Sequence, residues 1–387
     1  MKRSEDRILT THVGSLIRPK ELIPNPRASD RVDAPLTQNR AAPEVMKRAV
    51  ADVVAKQAAI GLDIINDGEF GKSGWANYIL ARINGIEIQE KRRLQIDWLG
   101  RERERFSEFF ESEFPLLRDG SAAEVCVGPV SYGDRKPIRR DLENLASALK
   151  SADYVEAFYP SVAPASATFG GINEYYPTER EYIFAVAEAL REEYLEIYKA
   201  GLLVQVDDAV LANLYDALIR KSPEEYRRWA DLRIEALNHA LAGIPEDRVR
   251  YHVCFGSWHA PHTSDAPLEE IVEFILQVKA QAYSIEAANP RHEHEWRVWE
   301  KVKLPEGKIL IPGVITHHTI IVEHPQLVAD RIVRFAKLIG RERVIAGTDC
   351  GFAQLESIQR VHPSIMWAKL ESLVEGARIA SKILWGR

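Results

Sequence analysis

Cysteine is scarce in this sequence: Cys126, Cys254 and Cys350 are the only three in 387 residues. An odd, sparse set in so long a chain is not a disulfide framework. It points to a reducing, cytoplasmic setting in which thiols are left for metal or redox work. Long apolar runs are missing too. No stretch approaches the ~18 consecutive apolar residues of a membrane span, and the charged segment Met1 to Thr11 lacks the apolar core of a signal peptide. Positive charge is in deficit, with 51 Lys and Arg against 57 Asp and Glu, a net charge of −6 and a pI near 6.1. That balance argues against a nucleic-acid or anionic-membrane partner. No G-x-G-x-x-G follows any strand-like run, which removes the signature of a dinucleotide-binding open sheet. Short tandem repeats and low-complexity tracts are absent as well.

What is present is a rhythm. With 46% hydrophobic residues the chain can bury a large core, and it does so in repeating units of amphipathic helix, glycine stop and short apolar strand. Pro43 opens a helix whose stripe is Val45, Ala49, Val50, Val53 and Val54; Gly61 ends it, and Asp63-Ile64-Ile65 follows as a strand closed by Asp67-Gly68-Glu69. A second unit runs from Thr178 to Gly201, with its strand at Leu202 to Val206. Ser222-Pro223-Glu224-Glu225 is a capping box that opens a third, leading to a strand around Tyr251 to Phe255. Helices opened by Pro267, Pro325 and Pro363 continue the series. Helices alternating with near-continuous apolar strands predict a parallel sheet covered by helices. Nine strand-like runs can be counted, one more than a (β/α)8 barrel needs, so the reading is a TIM barrel with one extra strand or hairpin arm. The whole chain, residues 1 to 387, is expected to form one catalytic barrel. Two segments break the rhythm: Leu22 to Ala42 reads as a long loop, and Gly85 to Ala123 as a helical insertion after the second strand. Trp98 and Phe109 on that insertion leave room for a homo-oligomer.

The sharpest local signal is Tyr251-His252-Val253-Cys254. Side chains two apart on a strand share a face, so His252 and Cys254 can reach one tetrahedral ion. Cys350, in Gly347-Thr348-Asp349-Cys350-Gly351, ends a later strand, and parallel barrels gather their strand C-termini on one rim. Glu286, ending the strand Tyr283-Ser284-Ile285, is the natural fourth ligand. An isolated H-x-C is most often core packing; three candidate ligands at three successive strand ends favour a metal. Cys126 lacks such company and reads as buried structure. His259 and His262, and His292 and His294, mimic metal spacing but sit beside proline and charge, and read as pocket rim or solvent.

Seven short motifs in order extend the pattern: Thr11-His12-Val13-Gly14-Ser15, Asp67-Gly68-Glu69, Gln205-Val206-Asp207-Asp208, His252-Val253-Cys254, Ser284-Ile285-Glu286, Pro312-Gly313-Val314 and Asp349-Cys350-Gly351. Together they resemble the catalytic, C-terminal barrel of cobalamin-independent methionine synthase and its short single-barrel relatives, including epoxyalkane:coenzyme M transferase. The resemblance implies zinc held by His252, Cys254, Glu286 and Cys350. It implies Ser15 on the carboxylate of homocysteine, Glu69 and Asp207 on its amino group, and His318 as the acid that protonates the leaving group, with His317 adjacent. The chain departs from the synthase pattern where Asp207-Asp208-Ala209 replaces Asp-Glu-Pro. The full-length synthase also has an N-terminal barrel that positions polyglutamyl folate, and the resemblance here starts at the catalytic barrel, so the donor is open.

The ligand set argues for thiol chemistry. Two thiolates and a carboxylate give a zinc centre a formal charge of −1, poor for activating water but able to hold a thiolate that stays nucleophilic. Methyl transfer from a 5-methyltetrahydrofolate-type donor to homocysteine, giving methionine, is the leading expectation. Epoxide opening by coenzyme M is the main alternative; it would need cations for a sulfonate, for which Arg18 and Lys20 are candidates. A zinc-stabilised binding barrel without turnover is the third. The partners implied are a small-molecule thiol and an alkyl donor.

Overall fold

The computed structural model describes residues 1–23, 41–90, 92, 99–113, 122–168, 171–355 and 359–386. Apart from its ends, the loop expected over Leu22 to Ala42 lies outside these residues, as do Trp98 and parts of the 85–123 insertion.

Eight strands form one parallel sheet: β1 (Leu9–Thr10), β2 (Ile64–Ile65), β5 (Glu156–Val162), β7 (Leu203–Asp208), β8 (Val249–Val253), β9 (Ala282–Ile285), β10 (Ile309–Ile315) and β11 (Ile345–Thr348). Their order is β1-β11-β10-β9-β8-β7-β5-β2. A parallel bridge between Thr11 and Ile64 joins the two ends of that order and closes the sheet into a (β/α)8 barrel. The barrel of the sequence reading is thus the observed fold. The ninth run, Glu124 to Val130, falls in β4 (Ala122–Tyr132), which pairs antiparallel with β3 (Ile83–Glu90) and parallel with β6 (Ile172–Asn173) in a separate three-stranded sheet. The insertion is therefore a β-hairpin whose described middle carries two short helices, Gly100–Arg105 and Ser107–Glu113. Its first arm is strand where a helical excursion was expected: Ile86 and Ile88 alternate with polar residues, a short period of two that a register shift after Asn84 and the dense charge beyond it hide. Arg82, fully buried, ties the base of the hairpin to the barrel by ion pairs to Asp141 (2.9 Å) and Glu193 (3.1 Å).

Alternation along the strands sorts the interior. At the bottom, Leu9, Ile64, Phe158, Leu203, Ala282, Ile309, Ile311 and Ile345 pack as an apolar plug. Two residues further along β7 and β8, the same inward face carries Gln205 and Arg250, both fully buried. Arg250 lies over the Phe158 ring at 4.1 Å and donates to Thr11 Oγ1 and the His12 carbonyl. One more step of two brings Asp207 and His252 to the rim. The helices cover the outside with a second core. The C-terminal helix Pro363–Trp385 contributes Met366, Leu370, Leu373 and Ala377 to it.

Candidate metal centre and the pocket beside it

Register places the site residues. Asp207 on β7 pairs with His252 on β8, and His252 with Ser284 on β9, so three inward side chains sit side by side at the rim. Ser284 Oγ lies 3.2 Å from His252 Nδ1 and fixes the ring, leaving Nε2 buried with no hydrogen-bond partner. Cys254 follows one step beyond the end of β8, and its Sγ lies 3.5 Å from Cys350 Sγ, just beyond β11. One donor atom from each of His252, Cys254 and Cys350 falls within 4.8 Å of the others. The three form a cluster, found among the described residues, that could hold a metal ion. The neighbouring Cys254 thiol, together with burial, pushes the Cys350 thiol well above its usual range. Two thiolates that close need a cation between them. An orphaned imidazole nitrogen facing two thiols is a donor set fitted to a tetrahedral thiophilic ion.

Glu286 lies at the same rim but its oxygens are engaged elsewhere: Phe255 N donates to Oε1 at 3.1 Å and Asn289 Nδ2 to Oε2 at 2.7 Å. Burial, then Asp349 and Cys350, push its carboxyl well above the usual range. Asp349, which the sequence reading did not single out, fixes the loop that carries Glu286. Its Oδ1 accepts from Ala287 N and Ala288 N, both at 2.8 Å.

Across the mouth, Ser15, Glu69 and Asp207 are all buried. Glu69 has a positive φ of 61° and its backbone N–H donates to Asp67 Oδ1, a strained corner that aims its carboxylate inward. Gly14 is required there: a Cβ on it would come within 2.4 Å of Glu69 Oε1. Lys72 Nζ stands 3.6 Å from Glu69 Oε2. Burial and the charge of Glu69 raise the Asp207 carboxyl to about 7, while Gln205 Nε2 donates to it at 2.7 Å. Ser15 Oγ packs against Gly351, beside Cys350, so closely that a Cβ on the glycine would lie 2.1 Å from it. The two acids and the serine thus come together next to the cysteine pair. Arg18 does not join them as a loose cation. It is buried and donates to the carbonyls of Glu69, Lys72 and Ala353, and so holds the loops together. Lys20 is exposed, on a short 3-10 helix.

His317 is fully buried with neither ring nitrogen hydrogen-bonded. His318 is half-buried and faces a cavity of about 290 Å³ lined also by Glu286, His262, Asp265, Asn289 and His292. Burial, with the nearby His262, Arg360 and His259, lowers His318 to about 3, so its resting form is neutral imidazole. His292 lines the same cavity but is shielded from solvent. It is buried between Asp265 Oδ2 (3.0 Å) and Glu295 Oε2 (2.8 Å), and although burial opposes its charge those carboxylates raise it to about 10. The available clue was the i, i+3 spacing of His262 to Asp265 and of His292 to Glu295, in the loops that follow Cys254 and Glu286. Cys126 is buried in β4, far from these groups in the fold.

Comparison with known proteins agrees with this architecture. A solved B12-independent methionine synthase from Shewanella sp. W3-18-1, in complex with selenomethionine, superposes with a TM-score of 0.73 over 98% of this chain and 100% of that one, at 20% identity. Among curated proteins, a methionine synthase from Thermococcus kodakarensis is 23% identical over 88% of this chain and 84% of its own length. A 2-hydroxypropyl-CoM lyase from Xanthobacter autotrophicus is 24% identical over 87% and 85%. Residues 173–370, more than half of the chain and inclusive of His252, Cys254, Glu286, His318 and Cys350, match the family described as cobalamin-independent synthase, catalytic domain, and this chain belongs to that family.

Proposed function

We propose that this protein transfers an alkyl group, in the leading case methyl, to a thiol held at a zinc ion by His252, Cys254 and Cys350, with homocysteine as acceptor. The observation that carries the reading is the cluster itself: one buried imidazole nitrogen without a partner and two thiols 3.5 Å apart, at the rim of a barrel. Zinc bound there would lower the pKa of the acceptor thiol while leaving its sulfur nucleophilic. The chain's own residues do the rest. Glu69 and Asp207 supply carboxylates for an ammonium group, and Ser15 a hydroxyl for the acceptor's carboxylate. Such anchoring makes the attack effectively intramolecular. Glu286, whose oxygens accept from Phe255 N and Asn289 Nδ2, is the hard carboxylate at the rim that would fill a fourth position on the ion in the resting protein and give way to the acceptor thiol. His318, which faces the cavity, is the group assigned to the proton of the donor's departing atom.

The names methionine synthase and 2-hydroxypropyl-CoM lyase among the relatives support thiol alkylation and leave two acceptors, homocysteine and coenzyme M. The acid pair Glu69 and Asp207 favours the amino-acid thiol. The test is direct. Zinc-loaded protein is incubated with homocysteine and methyl-labelled 5-methyltetrahydrofolate, or with coenzyme M and epoxypropane, and the products are read by mass spectrometry. Labelled methionine supports the reading; the hydroxyalkyl thioether moves the protein to the alternative. No thioether from either pair would mean that the barrel binds without turning over.

A further inference from the structure

The loop that begins at Cys350 is pinned to the loop that carries Ser15. Phe352 N donates to the Ser15 carbonyl at 2.8 Å, and Ala353 N to Ser15 Oγ at 3.4 Å. Further along, Gln354 Nε2 donates to the Gly351 carbonyl, and Gln354 Oε1 accepts from Arg360 Nε at 3.3 Å. Arg360 is half-buried and held by its inner nitrogen. Among the described residues nothing engages the two terminal nitrogens of its guanidinium, and no carboxylate pairs with it. Burial lowers this group from its usual range, and the groups that oppose the shift are the thiols of Cys350 and Cys254. Burial likewise holds His259, His317 and His318 below the usual range, and the charge of Arg360 adds to it at each. A guanidinium with an unfilled fork thus stands within electrostatic reach of the cysteine pair and of three neutral imidazoles. Other cations near the mouth are engaged: Arg18 on three carbonyls, Arg331 on Glu293, Arg291 on the Thr263 carbonyl, and Lys72 on the Pro160 carbonyl beside Glu69.

Charge is divided around the rim. Asp207 at the end of β7 and Glu69 beyond β2 form an acidic arc. Ser15 beyond β1 and Arg360 beyond β11 form a polar, cationic arc next to it, because β1 pairs with β11 and closes on the β2 side. An α-amino acid carries its ammonium and its carboxylate on one carbon, so its two ends call for adjacent arcs of opposite sign. We propose that Arg360 recognises the acid group of the acceptor thiol, a carboxylate or a sulfonate, through the two free nitrogens of its guanidinium, with Ser15 beside it. This rests on the alkyl-transfer reading above. A planar fork of N–H donors matches either oxyanion in a bidentate pair, which a point charge does not. Arg360 therefore selects acid-bearing thiols as a class and does not separate homocysteine from coenzyme M. That choice falls to Glu69 and Asp207, which attract an ammonium and repel a second anion. The cation that coenzyme M would need is accordingly Arg360, in place of Arg18 or Lys20.

Matched thiols test it on the zinc-loaded, full-length chain. Binding is read by calorimetry, and entry of the sulfur into the metal shell by zinc-edge X-ray absorption. Homocysteine is compared with 3-aminopropane-1-thiol, which lacks only the carboxylate, and coenzyme M with ethanethiol, which lacks only the sulfonate. In whichever pair enters the shell, the wild type should bind the acid-bearing member at least about tenfold more tightly. Arg360→Gln should weaken that member by about 30-fold, the size of a charge-assisted hydrogen-bonded pair, and change the other by less than about twofold. Arg360→Lys, which keeps the charge and loses the fork, should recover part of the loss. An equal loss for both members means that Arg360 only balances the charge of the thiolates or supports the loop, and overturns the proposal. So does a wild type that does not distinguish the members of the pair, or a loss confined to the KM of an anionic alkyl donor. If no thiol enters the zinc shell of the wild type, the functional reading falls and this recognition with it. An acid-bearing thiol that enters the shell and binds Arg360→Gln as tightly as the wild type removes Arg360 alone.

Discussion

Cys350 and Gly14 show how single residues set this site. Cys350 joins the cluster from a strand 96 residues away from Cys254, so Cys350→Ser should remove one of three close ligands without touching the others. Zinc retention on dialysis, read by metal analysis, should weaken by more than about 100-fold, beyond the range seen when only a supporting residue is lost. Full occupancy would take Cys350 out of the site. Gly14 has φ +144°, and a Cβ added to it would meet the carboxylate of Glu69. Gly14→Ala should cost about 1–3 kcal/mol in backbone strain and push Glu69 aside, raising KM for an amino-acid thiol more than it lowers kcat. Unchanged KM would separate Glu69 from substrate. At this scale the sequence was read well wherever a strand supplied the spacing, as in His252-x-Cys254. It was read poorly where the partner comes from another loop. Arg18 looked like a free cation until three carbonyls from two distant segments were brought to it, and His292, read as pocket rim or solvent, does line the pocket but is enclosed by Asp265 and Glu295.

Among the elements, the loops after β8 and β9 decide the shape of the pocket. Cys254 opens the first and Glu286 the second, and the His292–Asp265 pair clamps them together at 3.0 Å, with Phe255 N on Glu286 as a second tie. The clamp has a pH signature. A histidine raised from 6.5 to about 10 on folding contributes stability that is fully present below pH 6.5 and is lost as pH rises through about 10. Urea unfolding of the wild type at pH 6, 8 and 10 should therefore show a decline of a few kcal/mol. His292→Gln should start lower and decline less; an equal pH slope in both would remove His292 as its source. The elements themselves were legible because helix stripes and capping residues are local. The ninth strand-like run could not be assigned from sequence, since β4 has the same apolar pattern as a barrel strand and only its antiparallel pairing with β3 excludes it. Barrel closure was hidden too, for it rests on the two-residue strands β1 and β2 and the single bridge Thr11–Ile64.

For the molecule as a whole, both termini build the barrel. Ser4 donates to the Val344 carbonyl and Ile8 N–H donates to Ser381 Oγ on the last helix. That helix buries Met366, Leu370 and Leu373 completely. Each such side chain is worth roughly 1.5–3 kcal/mol, and three or more of them rival the whole stability of a domain, about 5–15 kcal/mol. A chain ending at residue 362 should therefore fail to fold, giving no cooperative transition by circular dichroism; a stable truncated barrel would refute one closed unit. The period-two layering explains why so tight a unit can host chemistry. The same inward face that packs as an apolar plug at the bottom carries arginine and glutamine in the middle and the candidate ligands at the rim. The most direct test of that assignment is zinc-edge X-ray absorption on the loaded protein before and after homocysteine. The account predicts a first shell of two sulfurs that gains a third when the thiol is added. A shell that stays unchanged in the presence of saturating homocysteine and coenzyme M would contradict it.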